Sequence, residues 1–392
     1  MELSRRMNAI GTETAFFMGA RVSALERQGK KIVKFHIGQP DFPTPQNIKD
    51  AAKKSIDANF TGYTDAGGIY DLRKACADYA GKLRGMAFDP DEVVCAPGAK
   101  PIIFGSIFCL LEPGDQAIYP NPGFPIYESA IDAMGAQSIP MPLLEENGFN
   151  FDGEAFKEIV NKKTKMVIIN SPQNPTGGVL TDSNLKLIRD LAVDEDFMVF
   201  SDEVYSKIIY DKPFKSIASL DGMKERTIIL DGHSKAYSMT GWRLGYGLMP
   251  KWLAAALTTF AINVYSCPTS FVQKAGIEAL TGQQESVTAM VSEFRKRRDH
   301  IVKRLNEIDG VSCTMPQGAF YAFPNIKKIC KRTGLKSSDI EQKLLDAGVS
   351  VLSGTAFGRF GEGYLRMSYA LSIPEMDKGL DIVKSTLEKM GK

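Results

Sequence analysis

Apolar and polar positions along the chain fall into two repeating patterns. Short apolar runs at Ile32–Ile37, Glu92–Cys95, Gln116–Tyr119, Met166–Ile169, Phe197–Phe200 and Thr227–Leu230 read as strands. Between them, helical spacing predicts helices over 46–57, 69–84, 101–111 and 182–193. Each run stops at turn-forming residues, such as Gly38-Gln-Pro-Asp-Phe-Pro-Thr-Pro45, Pro120-Asn-Pro-Gly-Phe-Pro125 and Asp231-Gly232. Strand, loop and helix in alternation predict an α/β fold with a mostly parallel sheet covered by helices on both faces. A long charged helix begins near Glu285 and reaches about residue 306. Beyond it the pattern breaks into short strands within 318–323, 350–352 and 364–369, with helices at 337–347 and 374–390. A helix over 14–28, carrying Phe17, Val22 and Leu25, and the strand after it complete this second, smaller α+β unit. The expected division is an arm at 1–13, a small-domain portion and bridge at 14–45, a three-layer large domain at 46–290 and a small domain at 291–392.

Composition narrows the picture mainly by exclusion. The 392 residues are 44% hydrophobic and 24% charged, enough for two cores. A formal net charge of +2 gives no electrostatic case for nucleic acid or an anionic membrane. The six cysteines, at 76, 95, 109, 267, 313 and 330, form no C-x-x-C pair, and the histidines at 36, 233 and 300 share no ligand spacing. Reduced thiols and no metal are expected, in a cytoplasmic protein. The N-terminus lacks the apolar segment of a signal peptide, and the uncharged stretch Trp252–Gln273 is too polar for a membrane span.

Candidate chemistry gathers at the strand ends. Asn174, Asp202, Tyr205 and Lys235 each follow an apolar strand, and in a parallel sheet those ends point one way. Taken singly, Asn174 and Asp202 are turn formers, Tyr205 is a packed aromatic and Lys235 is a solvated lysine. Taken together they offer an amide, a carboxylate, a phenol and an amine to one pocket. Pyridoxal 5′-phosphate asks for that set: Lys235 for its aldehyde, Asp202 for its ring nitrogen, and Tyr205 and Asn174 for its 3-oxygen. Its phosphate needs backbone N–H groups at a helix start and an arginine, which Gly98-Ala99-Lys100 and Arg243 supply. Phe124 is the expected cover for the ring.

Six stretches then resemble the class I/II aminotransferases, the fold-type I pyridoxal-phosphate enzymes of the aspartate aminotransferase superfamily. They are Gly38–Pro45, Tyr63 with Gly67-Gly68, Asn170-Ser-Pro-Gln-Asn-Pro-Thr-Gly177, Ser201-Asp-Glu-Val-Tyr205, Ser234-Lys-Ala-Tyr-Ser-Met-Thr-Gly-Trp-Arg-Leu-Gly245 and Leu365-Arg-Met-Ser368. They cover nearly the whole chain in the family's order. The resemblance implies that Lys235 forms the Schiff base and moves the proton at the substrate Cα. It implies that Asp202 pairs with the ring nitrogen, Asn174 and Tyr205 bond the 3-oxygen, and Arg243 binds phosphate. Arg366 then binds the substrate α-carboxylate, a bidentate task suited to arginine, and Gly38 leaves room for it. Tyr63 matches a tyrosine that reaches the neighbouring subunit's phosphate, so a homodimer with shared active sites is implied. Many relatives carry Ser or Thr three residues before the lysine; here Gly232 stands there, and His233 or Ser234 is left to compensate.

The implied reaction moves an amino group between an L-amino acid and 2-oxoglutarate by a ping-pong mechanism. Lys100 favours aspartate by charge complementarity, whereas Phe17, Phe124 and Tyr265 would suit an aromatic or alanine-type donor. A pyridoxal-phosphate lyase on the same fold would share Lys235, Asp202 and Arg366. A Rossmann-type oxidoreductase is disfavoured because no strand leads into Gly-x-Gly-x-x-Gly with an acidic residue beyond it.

Overall fold

The computed structural model describes residues 3–11 and 14–390. Its centre is a seven-stranded sheet, in the order Val93–Ala96, Gly245–Leu248, Thr227–Gly232, Met198–Asp202, Thr164–Asn170, Gln116–Asn121, Gln137–Pro142. All neighbours are parallel except Gly245–Leu248, which runs antiparallel to both strands beside it. Alternation along each strand divides the residues between two faces. Val94, Ile168, Phe200, Ile228 and Leu230 pack on one face with helices Lys100–Leu110, Ile126–Ala133 and Lys251–Val264. Cys95, Val167, Val199 and Ile229 pack on the other with helices Tyr70–Arg84, Asp182–Asp194 and Ser270–Thr281. These side chains are almost wholly excluded from water, and each aliphatic one contributes about 1.5–3 kcal/mol by its burial. Asn170 pairs in register with Asp202, and Asp202 with Leu230. The carboxyl ends of three central strands therefore form one level edge.

A second core lies beyond that edge. Phe35, Phe294, Phe320, Tyr321, Ile340, Leu344, Met367 and Tyr369 are buried in it, together with Tyr205 from the large sheet's loop. It carries an antiparallel sheet of Leu352–Ser353, Leu365–Ser368 and Tyr321–Ala322, and a parallel pair of Val33–Lys34 with Val349–Ser350. Helix Glu285–Asn306 runs unbroken past residue 290, and helix Ile373–Lys389 closes the chain.

Several expectations need correction. The strand expected over 32–37 shrinks to Val33–Lys34, because the backbone beyond it turns to meet the site. Strands Gln137–Pro142 and Gly245–Leu248 were not foreseen. The expected arm at 1–13 contains helix Arg5–Ala9; residues 1–2 and 12–13 of it, and 391–392 at the other end, lie outside the described residues. Among the described residues, no helix is long and apolar enough to cross a membrane.

Candidate active site

A cavity of about 760 Å³ opens where the sheet edge meets the second core. Asp202 closes its floor as the last residue of its strand. The phenol of Tyr127 donates to Asp202 Oδ2 at 2.6 Å, and the amide of Val204 donates to Oδ1 at 3.3 Å. Burial lifts the Asp202 carboxyl to about 6, and those two donors hold it from rising further. Asn170 ties the neighbouring strand to the same place. Its Nδ2 donates to the Asp202 carbonyl at 3.0 Å, and its Oδ1 accepts the Asn174 amide at 2.9 Å. The side chain of Asn170 thus sets the turn that presents Asn174.

Strand Thr227–Gly232 runs into a single helical turn, His233–Ala236, which swings Lys235 over the same floor. Lys235 Nζ donates to the Gly38 carbonyl at 2.6 Å and lies about 6 Å from the ring centres of Tyr205 and Phe320. The Tyr205 and Tyr321 hydroxyls are 2.8 Å apart. Gly38 is required here: a Cβ would stand 2.5 Å from the Tyr321 hydroxyl. Arg366 enters from strand Leu365–Ser368, 3% exposed. Its Nη1 donates to Asn174 Oδ1 at 3.1 Å and its Nη2 to the His36 carbonyl at 2.6 Å. The guanidinium stacks between the rings of Tyr321 and Phe357, 4.5 and 4.8 Å from their centres.

The other end of the cavity is an anion cradle. Gly98 takes φ +89° just before helix Lys100–Leu110 begins. A Cβ on it would lie 2.8 Å from Arg243 Cζ and closer still to Nη2, so the glycine makes room for that guanidinium. Arg243 itself has φ +57°, and its Nη1 donates to the Thr240 carbonyl at 2.9 Å. Ala99, Lys100, Ser234 and Arg243 line this end. Helix-start amides and a guanidinium facing one space form an arrangement that suits a phosphate.

Most of the expected site residues meet here: Gly38, Ala99, Lys100, Phe124, Asn174, Asp202, Tyr205, Ser234, Lys235, Arg243 and Arg366 all line the cavity. Gly98 stands directly behind Arg243 instead. Of the two residues left to compensate for Gly232, His233 is turned away. It is fully buried with Nε2 against the Gly276 carbonyl at 3.2 Å, and burial presses it down to about 4. Ser234 is the one facing the cavity. Phe17 does not line the pocket; the helix Thr14–Arg27 turns Phe16 towards it. Tyr265 packs behind strand Val93–Ala96, its hydroxyl near the Cys95 carbonyl. Tyr63 is 92% exposed and outside the cavity. Lys100 Nζ sits 5.3 Å from the Phe16 ring centre and 5.9 Å from that of Phe124.

Three residues escaped the sequence reading. Tyr127 stands one turn beyond the Pro120–Pro125 loop, where strand-end reasoning could have reached it. Tyr321 meets Tyr205 only through tertiary packing. His36 lines the cavity with Nδ1 2.6 Å from Ser350 Oγ, and burial, then Arg366, lowers it to about 4.

The class I and II aminotransferase family model matches residues 30–383. The chain is 40% identical to an aspartate aminotransferase of Pyrococcus abyssi, over 92% of each chain. It is 39% identical to aromatic-amino-acid aminotransferase 2 of Thermococcus litoralis, over 91% of this chain and 92% of that one. The solved aspartate aminotransferase of Thermus thermophilus with maleate superposes with a TM-score of 0.94 at 32% identity, covering 98% of this chain and 100% of that one. With a family match over most of its length and relatives of this identity, the chain belongs to the class I and II aminotransferases.

Proposed function

We propose that this aminotransferase uses pyridoxal 5′-phosphate to move the amino group of an L-amino acid, aspartate first, to 2-oxoglutarate by a ping-pong mechanism. The observation that carries the cofactor is the joint placement of Lys235, Asp202 and the Gly98–Arg243 cradle around one cavity. The residues fit the group: a buried carboxylate with a raised pKa suits a cationic ring nitrogen, and a cradle that a single Cβ would fill suits a phosphate. When bound, the cofactor supplies an aldehyde that takes up the amino group and a ring that withdraws electrons.

The chain's own residues supply the rest. Asp202, fixed by Tyr127, would accept a ring N–H. Ser234, Arg243 and the amides around Ala99 would hold the phosphate. Asn174 and Tyr205 would bond the 3-oxygen, and Phe124 would cover the ring. Arg366 is the α-carboxylate clamp, already holding two oxygen acceptors at 2.6 and 3.1 Å. Lys235, once released, is the amine placed to take and return the Cα proton. Lys100 at the cavity mouth supports an acidic donor, in keeping with a relative solved with maleate, a dicarboxylate. The Phe16 and Phe124 rings beside it keep an aromatic donor as the second reading, as in the Thermococcus relative. Exposed Tyr63 fits a homodimer in which each subunit completes the other's site.

The test is the visible spectrum of the protein loaded with pyridoxal phosphate, with aspartate, alanine, tyrosine or glutamate added singly and no oxo acid present. Bleaching of the visible band by a donor, strongest with aspartate and absent in Lys235→Ala, is expected. Turnover that needs no oxo acid would turn the assignment towards a lyase.

A further inference from the structure

Directly behind the cavity floor lies a buried ion triad that the roles above leave unused. Arg84, the last residue of helix Tyr70–Arg84, has no exposed side-chain surface. Its Nε and Nη2 donate to Glu203 Oε2 at 2.8 and 2.7 Å, and Nη2 also reaches Asp231 Oδ2 at 3.0 Å. The other oxygen of each carboxylate is occupied as well. Glu203 Oε1 accepts from Ser201 and Ser216 at 2.8 and 2.6 Å, and Asp231 Oδ1 accepts from the Gly232 amide at 2.8 Å. Two carboxylates share one guanidinium, so the group carries a formal charge of −1, and all three residues are buried.

Its position is what gives it a function. Glu203 follows Asp202 in sequence but points to the opposite face of the sheet. Asp231 precedes Gly232, the start of the turn that carries Lys235. The Glu203 amide donates to the Leu230 carbonyl at 2.8 Å, which closes the two strand ends together. A plain structural core would fill this space more favourably with apolar side chains, since burying such a triad costs desolvation that its attraction barely offsets.

We infer that the Arg84–Glu203–Asp231 triad is a positioning device for the active site, which locks the strand ends bearing Asp202 and Lys235 and maintains a fixed negative charge behind Asp202. This rests on the cofactor reading given above. Asp202 faces Tyr127 from helix Ile126–Ala133, Tyr205 from the following turn, and Glu203 and Asp231 from the triad. The triad itself is faced by Tyr79 from its own helix, Tyr246 from strand Gly245–Leu248, Tyr237 and Lys207. Burial raises all three phenols, so they stay neutral at working pH. Burial pushes Glu203 and Asp231 up and the Arg84 guanidinium draws both down; its bonds to the two carboxylates, at 2.7 and 3.0 Å, are what favour their charged forms.

The test follows the visible absorbance of the pyridoxal-phosphate-loaded protein against pH, with melting temperature as a control. Glu203→Gln is nearly isosteric. Its amide oxygen can accept from Arg84 while its NH₂ donates to the two serine hydroxyls, which accept as readily as they donate. Loss of one negative charge behind the ring site lowers the absorbance midpoint by on the order of one pH unit. Ser216→Ala keeps every charge but strips one donor from Glu203, so the midpoint moves the other way, by roughly a few tenths of a unit. Arg84→Lys keeps the charge and leaves the midpoint near that of the wild type. A merely structural triad would change the melting temperature in these variants and leave the midpoint alone. A Glu203→Gln protein that loads cofactor and titrates like the wild type overturns the inference. If Glu203→Gln does not fold, an unmoved midpoint in Ser216→Ala overturns it. A wild-type protein that never gains a visible band overturns the cofactor reading, and this inference with it, before any substitution is made.

Discussion

Asp202→Asn should make the cofactor-free protein more stable at pH 8, by a margin that nearly vanishes at pH 4. The wild-type carboxyl sits 4% exposed and titrates at about 6, against its ordinary 3.8. A pKa raised in the folded state means the folded form prefers the proton, so its advantage is full below pH 3.8 and is lost as pH rises through 6. The gap between the two values is worth about 3 kcal/mol at 1.36 kcal/mol per unit. Asparagine removes that cost; the help the Tyr127 hydrogen bond gives the carboxylate is already contained in the value of about 6. Its NH₂ can still face the Tyr127 hydroxyl, which then accepts. The net expectation is a variant more stable by about 3 kcal/mol at pH 8, with the difference falling below about 1 kcal/mol near pH 4. Urea denaturation of both cofactor-free proteins across that pH range measures it, and the difference between them cancels the other titrating groups. With cofactor present the ranking at pH 8 should invert, because the ring nitrogen loses its anionic partner. A wild-type-minus-variant difference that does not change with pH would refute the argument that Asp202 is held charged against its burial.

Two further substitutions probe the ends of the cavity. Gly98→Ala demands a left-handed φ near +89° from a residue with a Cβ, costing about 1–2 kcal/mol, and drives that Cβ into the Arg243 guanidinium. Pyridoxal phosphate affinity, read by absorbance titration, should fall by about tenfold or more, and wild-type affinity would remove Arg243 from phosphate binding. Lys100→Ala should raise KM for aspartate by about tenfold, the loss of one partly solvated charge pair, while KM for alanine stays nearly constant. Equal effects on both donors would take Lys100 out of specificity.

What could be read from the sequence was what strand ends dictate. Lys235, Asp202 and Asn174 follow apolar runs, and the parallel register Asn170–Asp202–Leu230 puts them side by side. What could not be read depended on packing between distant elements. Gln137–Pro142 contains two prolines and argues against a strand, yet it lies at the sheet edge, where a missing N–H leaves no gap in the ladder. Gly245-Tyr-Gly-Leu248 looks like loop, but Gly245 is small because a Cβ would stand 2.7 Å from the Gly98 carbonyl carbon. Phe16 and Phe17 are adjacent; the spacing pointed to Phe17, whereas the helix turns Phe16 towards the cavity. Between His233 and Ser234 the sequence left the choice open. Their separation came from a four-residue helix whose one side faces Gly276 and whose other side faces the cavity.

The segment His36–Gly38 explains how two cores can serve one substrate. An α-amino acid carries its amino group and carboxylate on a single carbon, so the groups that read them need a fixed spacing. Lys235 comes from the large sheet and Arg366 from the small one, and among the described residues no strand pairing connects those two sheets. Both cations instead donate to carbonyls of the same short peptide, Arg366 to His36 and Lys235 to Gly38, each at 2.6 Å. That peptide is itself anchored on both sides. Towards the second core, the Phe35 amide donates to the Ser350 carbonyl at 2.9 Å, and His36 Nδ1 meets Ser350 Oγ. Towards the sheet, Thr44 further along the loop donates to the Ser238 carbonyl at 2.7 Å and accepts from Trp242 Nε1 at 3.1 Å. The distance from amine to guanidinium is therefore set by three consecutive loop residues, not by the packing of one core on the other. Gly38 has to be the end of this link, because only a residue without a side chain lets the Tyr321 hydroxyl approach while leaving its own carbonyl to Lys235.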